Sequence, residues 1–98
     1  LLIHEATFVE DAAKWADDFL HSTATGAART AIQCGAKHLA ITHYSSRTKD
    51  SGEPLREAQS ILQDSTISCS ALSDGDRIII ENDGQIVHLF WNGNGWSR

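Results

Sequence analysis

Three short stretches bring together side chains able to do chemistry: His4-Glu5-Ala6-Thr7, His21-Ser22-Thr23 and Thr42-His43-Tyr44-Ser45-Ser46-Arg47. A carboxylate beside an imidazole raises the imidazole pKa and fixes the ring's orientation. Such a pair, here Glu5 with His21, is a candidate for general acid–base chemistry. As residue types alone they also fit a plainer reading, with Glu5 hydrogen-bonded to a strand end and His21 ending a helix. His43 follows an apolar run and precedes hydroxyls and an arginine, which suits a metal ligand facing an anionic substrate; a hydrogen-bonded structural histidine is the other reading. Arg47 can grip a phosphate through bidentate contacts or stand as a solvated loop arginine. His4 reads as a packed or hydrogen-bonding residue and His38 as a surface one. His88 alternates with apolar neighbours and has no evident partner.

The elements that position these residues are legible from periodicity. Leu1-Leu2-Ile3 running into His4 fits a buried strand of a parallel sheet, with polar groups just past its carboxyl end, where open α/β sheets bind ligands. Apolar residues from Val9 to Leu20 recur at helical spacing, including Trp15 and Phe19 as core residues. His21-Ser22-Thr23 breaks that helix, and Ser22, Thr23 or Thr25 can cap the next, over about Thr25 to Cys34, which stops at Gly35. Leu39 to Thr42 is a second strand. Strand, crossover and strand make a βαβ unit, parallel and right-handed, so Glu5 and His43 emerge at one sheet edge. His21 joins them only if the crossover loops back.

Ser45 to Glu53 reads as an exposed loop, and Pro54 to Leu62 as a helix with Arg56 and Glu57 solvated. Ile67 to Ala71 is a short strand candidate. Arg77–Glu81 and Gln85–Trp91 flank Asn82-Asp83-Gly84, a hairpin signal. Asn92-Gly93-Asn94-Gly95-Trp96 is glycine-rich without the context of a phosphate loop.

Ninety-eight residues make one domain at most, burying about 60–65% of the unfolded surface. The absence of methionine and the opening on an apolar strand are read as one incomplete domain, a fragment of a longer protein. No apolar run nears the roughly 20 residues of a membrane span and no signal peptide is visible, so a cytoplasmic location is expected. Cys34 and Cys69 lie outside any CxxC spacing and are expected as reduced, mostly buried thiols. The net charge of −5, with scattered basic residues, argues against a generic nucleic-acid-binding surface on this chain.

Together the three stretches resemble tRNase Z, the zinc-dependent endonuclease family of the metallo-β-lactamase superfamily that trims tRNA 3′ ends. His4-Glu5-Ala6-Thr7 is similar to the family's HEAT motif, His21-Ser22-Thr23 to its HST motif, and Thr42 to Arg47 to its T-H-x-S-x-R segment. No one string identifies a family; three in the family's order at similar intervals carry the resemblance, over about residues 1–63.

The resemblance implies an α/β fold, the C-terminal part of a metallo-β-lactamase fold with a βαβ unit, a further helix and a terminal β-hairpin. It implies Glu5 and His21 as the proton-donating dyad, His43 as a metal ligand and Arg47 as a substrate contact. It further implies two zinc ions in the complete enzyme and precursor tRNA as partner, with no membrane association and room for a homodimer. Departures accompany it. The H-x-H-x-D-H motif and bridging aspartate are absent, so this chain alone is expected to hold no zinc and to be inactive. Thr48 stands where many members carry an aromatic residue, and the tryptophan-containing terminal hairpin is foreign to the pattern. The alternatives are a non-catalytic module of the same fold that binds a partner, or another hydrolase of that fold.

Overall fold

The computed structural model describes residues 1–9, 21–45 and 52–98. Among the described residues three strands alternate with two helices and then give way to a separate sheet. The first part is β1 (Leu2–Glu5), α1 (Ala24–Cys34), β2 (His38–Thr42), α2 (Glu53–Leu62) and β3 (Ser68–Ala71). The second is β4 (Arg77–Ile80), β5 (Ile86–Trp91) and β6 (Trp96–Ser97). The expected helix over Val9–Leu20 and the Arg47 segment lie outside the described residues.

β1 and β3 flank β2, both parallel to it. The first register runs Leu2↔Leu39 to Glu5↔Thr42, as the βαβ reading requires. Side chains alternate across a strand. Leu39 and Ile41 therefore share one face, which packs with Ala24, Ala27, Ala28, Ala31, Ala58 and Leu62 into the core. Small residues along α1 let that helix approach closely. His38, Ala40, Ser68 and Ser70 occupy the opposite face.

Local chemistry sets the ends of α1. Thr23, in extended conformation, accepts from the Gly26 N–H. Gly35, at φ 67, closes the helix, with its own N–H on Ile32 and that of Ala36 on Ala31, the paired bonds of a Schellman cap. Glu57, expected to be solvated, instead reaches across from α2 and accepts from the Thr25 N–H at 3.0 Å. A carboxylate at a helix N-terminus satisfies a donor with no intrahelical partner and complements the dipole. Glu57→Ala is expected to cost about 0.5–2 kcal/mol, read as a lower urea midpoint with unchanged m-value.

β4 and β5 pair antiparallel around Asn82-Asp83-Gly84, with Gly84 at φ 86. The glycine-rich tail proves to be a second turn: the Asn92 side chain accepts from the Asn94 and Gly95 N–H groups, and β6 returns alongside Trp91. Arg77 lies over the Trp96 ring at 3.5 Å, and Trp91 tilts against Trp96. Among the described residues no helix is long and apolar enough to cross a membrane. Both cysteines are free thiols; Cys69 is half-buried but Cys34 is exposed, contrary to expectation, because it lies away from the buried alanine face of α1.

Candidate functional site

Past the end of β1 the chain remains extended. Ala6 donates to the Thr42 carbonyl and Ser45 donates to that of Thr7. Phe8 bridges Thr23, with its N–H on Ser22 and its carbonyl accepting from Ala24. Those bonds return the chain to the edge where β1 ended and bring His21 beside Glu5, the point that spacing alone left open. On the other strand His43 adopts φ 61 directly after β2. Positive φ is uncommon outside glycine, though histidine is enriched among the exceptions, and here it turns the chain sharply at the sheet edge.

Glu5, His21 and His43 converge there. The His21 Nδ1–H donates to Glu5 Oε2 at 2.8 Å. The His43 Nδ1 lies 3.6 Å from the same oxygen, and the two imidazole centroids are 5.0 Å apart. Thr7, buried and two residues beyond Glu5, ties the group together. Its hydroxyl donates to Glu5 Oε2 at 2.5 Å and accepts from the His43 Nδ1–H at 2.6 Å. The arrangement assigns tautomers: with both Nδ1 atoms carrying protons toward oxygen acceptors, each Nε2 is left facing outward. Burial pushes the Glu5 carboxyl up, but hydrogen bonds from Thr7 and His21, the His21 charge and the Ser22 N–H outweigh it, holding the carboxyl below its ordinary value. The fixed anion keeps the His21 ring oriented.

The donor chemistry suits a partial metal site. Glu5, His21 and His43 each offer a ligand atom, all within 4.8 Å of one another. Glu5 Oε2, however, is already engaged by Thr7 and His21, and the His21 Nδ1 is spent on Glu5. Each imidazole leaves its Nε2 open, that of His43 on the more exposed ring (59% against 34%), whereas a catalytic zinc takes about three protein ligands. His43 therefore fits as a contributor to a metal centre completed by other residues. Beside it opens a cleft of about 580 Å³ lined by Thr42, His43, Tyr44, Leu72, Ser73 and Asp74. The Tyr44 hydroxyl, its pKa pushed up to about 12 by burial, lies within bonding distance of the Ile41 and Leu72 carbonyls and pins that wall.

The structure thus brings together three of the four candidate side chains; Arg47 lies outside the described residues. Sequence reasoning gives Thr7 no role of its own, although its position two residues from Glu5 on an extended chain places both side chains on one side. His4, read as a packed or hydrogen-bonding residue, has its Nδ1 2.8 Å from the Glu5 carbonyl. Two expectations need correction. His38, expected at the surface, is 7% exposed and bonded to Ser68 and Ser70. His88 has partners after all, in Ser70 and Asp76. Both surprises share a cause: a second sheet packs where the sequence shows only alternation.

No protein-family model matches the chain. It is similar to curated proteins named ribonuclease Z. That of Porphyromonas gingivalis is 52% identical over 63 residues, covering 64% of this chain and 21% of that protein. That of Methanosarcina acetivorans is 39% identical over 64 residues, with 64% and 21% covered. In Trichodesmium erythraeum the match is 40% over 78 residues, covering 74% of this chain and 24% of the relative. The chain spans about a fifth of the length of the first two and about a quarter of the third.

Proposed function

We propose, on the premise that the matched two thirds of this chain belong to the ribonuclease Z family, that its Glu5–His21–His43 edge is one wall of a site hydrolysing precursor tRNA near its 3′ end. The single observation that carries this reading is the 2.8 Å Glu5–His21 bond with His43 on the same edge. A dyad of this kind has a chemical use in strand cleavage. The leaving 3′ oxygen is a poor leaving group as an alkoxide, and a protonated imidazole aimed at it removes the developing charge. Glu5 keeps the imidazole in the tautomer that presents Nε2 and balances its charge. Thr7 holds Glu5 and His43 in mutual register. His43, through Nε2, is the residue that would hold zinc together with ligands from the family's H-x-H-x-D-H motif. Zinc, when bound, supplies Lewis-acid polarisation of a phosphoryl oxygen.

A metallo-β-lactamase architecture belongs to the same proposal, with the parallel sheet and its helix layer as part of that sandwich. So does Arg47 as a phosphate contact, which suits the need for positive charge on an otherwise acidic chain. The test is a chimera in which this chain replaces the matching segment of the Porphyromonas gingivalis relative. Zinc-dependent cleavage of a precursor tRNA by the purified chimera is the expected result. A folded chimera that retains zinc yet leaves the RNA intact would sink the reading, pointing to a fold that kept its shape without its chemistry.

A further inference from the structure

Away from that site, one hydrogen-bonded chain joins the two sheets. His38 on β2 has Nδ1 2.6 Å from Ser68 Oγ and Nε2 2.8 Å from Ser70 Oγ. His88 on β5 has Nδ1 2.8 Å from the same Ser70 Oγ and Nε2 2.8 Å from Asp76 Oδ2. Asp76 accepts in addition from the backbone N–H groups of Ser73 and Trp91. The His88 and Asp76 side chains are 7% and 2% exposed, so water offers little relief if a bond is lost.

We propose that Ser68–His38–Ser70–His88–Asp76 is an acid-sensitive latch that holds the β4–β5–β6 sheet on the parallel sheet and releases it once both imidazoles are protonated. Protons and acceptors can be counted along it. With both rings neutral, every group points one way. Ser68 O–H donates to His38 Nδ1, His38 Nε2–H to Ser70, Ser70 O–H to His88 Nδ1, and His88 Nε2–H to Asp76. A first proton can be absorbed without losing a bond. If His88 gains it, its Nδ1–H donates to Ser70, the Ser70 proton swings to His38 Nε2, and His38 moves its own proton to Nδ1 and donates to Ser68. The new cation faces the Asp76 carboxylate.

A second proton has no such outlet. Both rings then point N–H at the Ser70 oxygen, the Ser70 hydroxyl proton loses its acceptor within the chain (that of Ser68, which is exposed, had already turned to water at the first step), and one carboxylate must balance two cations. Unpaired polar groups in a nearly dry setting are costly.

The charges facing the chain agree with this count. Burial pushes the His38 pKa below its ordinary 6.5, and the charges on His88 and on the terminal amino group push it further the same way. Burial raises the Asp76 carboxyl, but the bonds from Trp91, His88 and Ser73 outweigh it and hold the group below its ordinary value. Cys69 and Tyr44, pushed up to about 11 and about 12 by burial, are uncharged across the acid range. A histidine with a lowered folded pKa binds fewer protons folded than unfolded. Its stabilisation is therefore whole above about pH 6.5 and is lost as pH falls through the folded value.

The test is an NMR titration of the 98-residue chain from about pH 8 downward, following the ring nitrogens of His38 and His88 and amide exchange across both sheets. The expected order is one histidine proton taken up with β5 amides still protected, then loss of β5 protection with α1 and β2 protection intact. His38→Gln keeps a donor and an acceptor but cannot be charged, so it should lower the release midpoint by about one pH unit or more. Loss of protection everywhere at one pH, release at the same pH in His38→Gln, or an intact β5 after both rings are charged would each overturn the latch.

Discussion

His21→Ala, introduced into the chimeric ribonuclease Z described above, is expected to lower the rate of precursor-tRNA cleavage by about 10²–10⁴-fold with bound zinc unchanged. The magnitude reflects the chemistry lost, because a 3′ alkoxide leaving without a proton forfeits what a positioned general acid contributes. Zinc retention is expected because His21 is held on the Glu5 carboxylate as a proton donor would be, whereas His43 sits on the Thr7 hydroxyl as the more exposed ring. Glu5→Gln should reproduce much of the loss, since an amide neither balances an imidazolium nor specifies its tautomer. His43→Ala should differ in kind, losing metal together with activity. Single-turnover rates combined with metal analysis separate these cases. Equal zinc loss in His21→Ala and His43→Ala would mean that both imidazoles are ligands and that the dyad is misassigned.

The second large effect is on stability. Leu39, fully buried on the central strand β2, packs with the alanine face of α1 and with Ala58 and Leu62 of α2. Leu39→Ala is expected to destabilise the chain by about 2–5 kcal/mol. Measured against a total of about 5–15 kcal/mol for a domain, that threatens folding at physiological temperature. The small residues around Leu39 cannot reach into the void it leaves, so relaxation is limited. Chemical denaturation monitored by circular dichroism measures the loss. A change below about 1 kcal/mol would show that the helices do not close over the sheet as described.

What can be read from the sequence, and what cannot, divides along one physical line. The parallel pairing of β1 and β2 is legible because an unbroken apolar run followed by polar residues is the mark of such a strand, and residues 5 and 43 then have to share an edge. The convergence of His21 is not, since it depends on the Phe8–Thr23 bridge, a contact of backbone atoms that carries no side-chain pattern. Gly35 announces the end of α1 through its conformational freedom, whereas Glu57 gives no sign of capping that helix from another one. His38 and His88 escape the sequence for a related reason. Alternation tells which residues share a face, not what lies opposite. Arg47 and the Val9–Leu20 helix remain expectations of the sequence.

The register of β1 against β2 has a consequence in time as well as in space. Glu5 opposes Thr42, so the edge that holds Glu5 and His43 exists only after two segments 37 residues apart have found each other in one alignment. A slip of one residue would turn Glu5 to the opposite face of the sheet. Helix α1 and the β4–β5 hairpin are built from neighbours in sequence, and contacts of that kind form early, whereas parallel pairing waits for a long loop to close. The imidazole pair should therefore be among the last features to appear during refolding. Its 5.0 Å approach makes it a spectroscopic clock for the commitment of this chain to its native alignment.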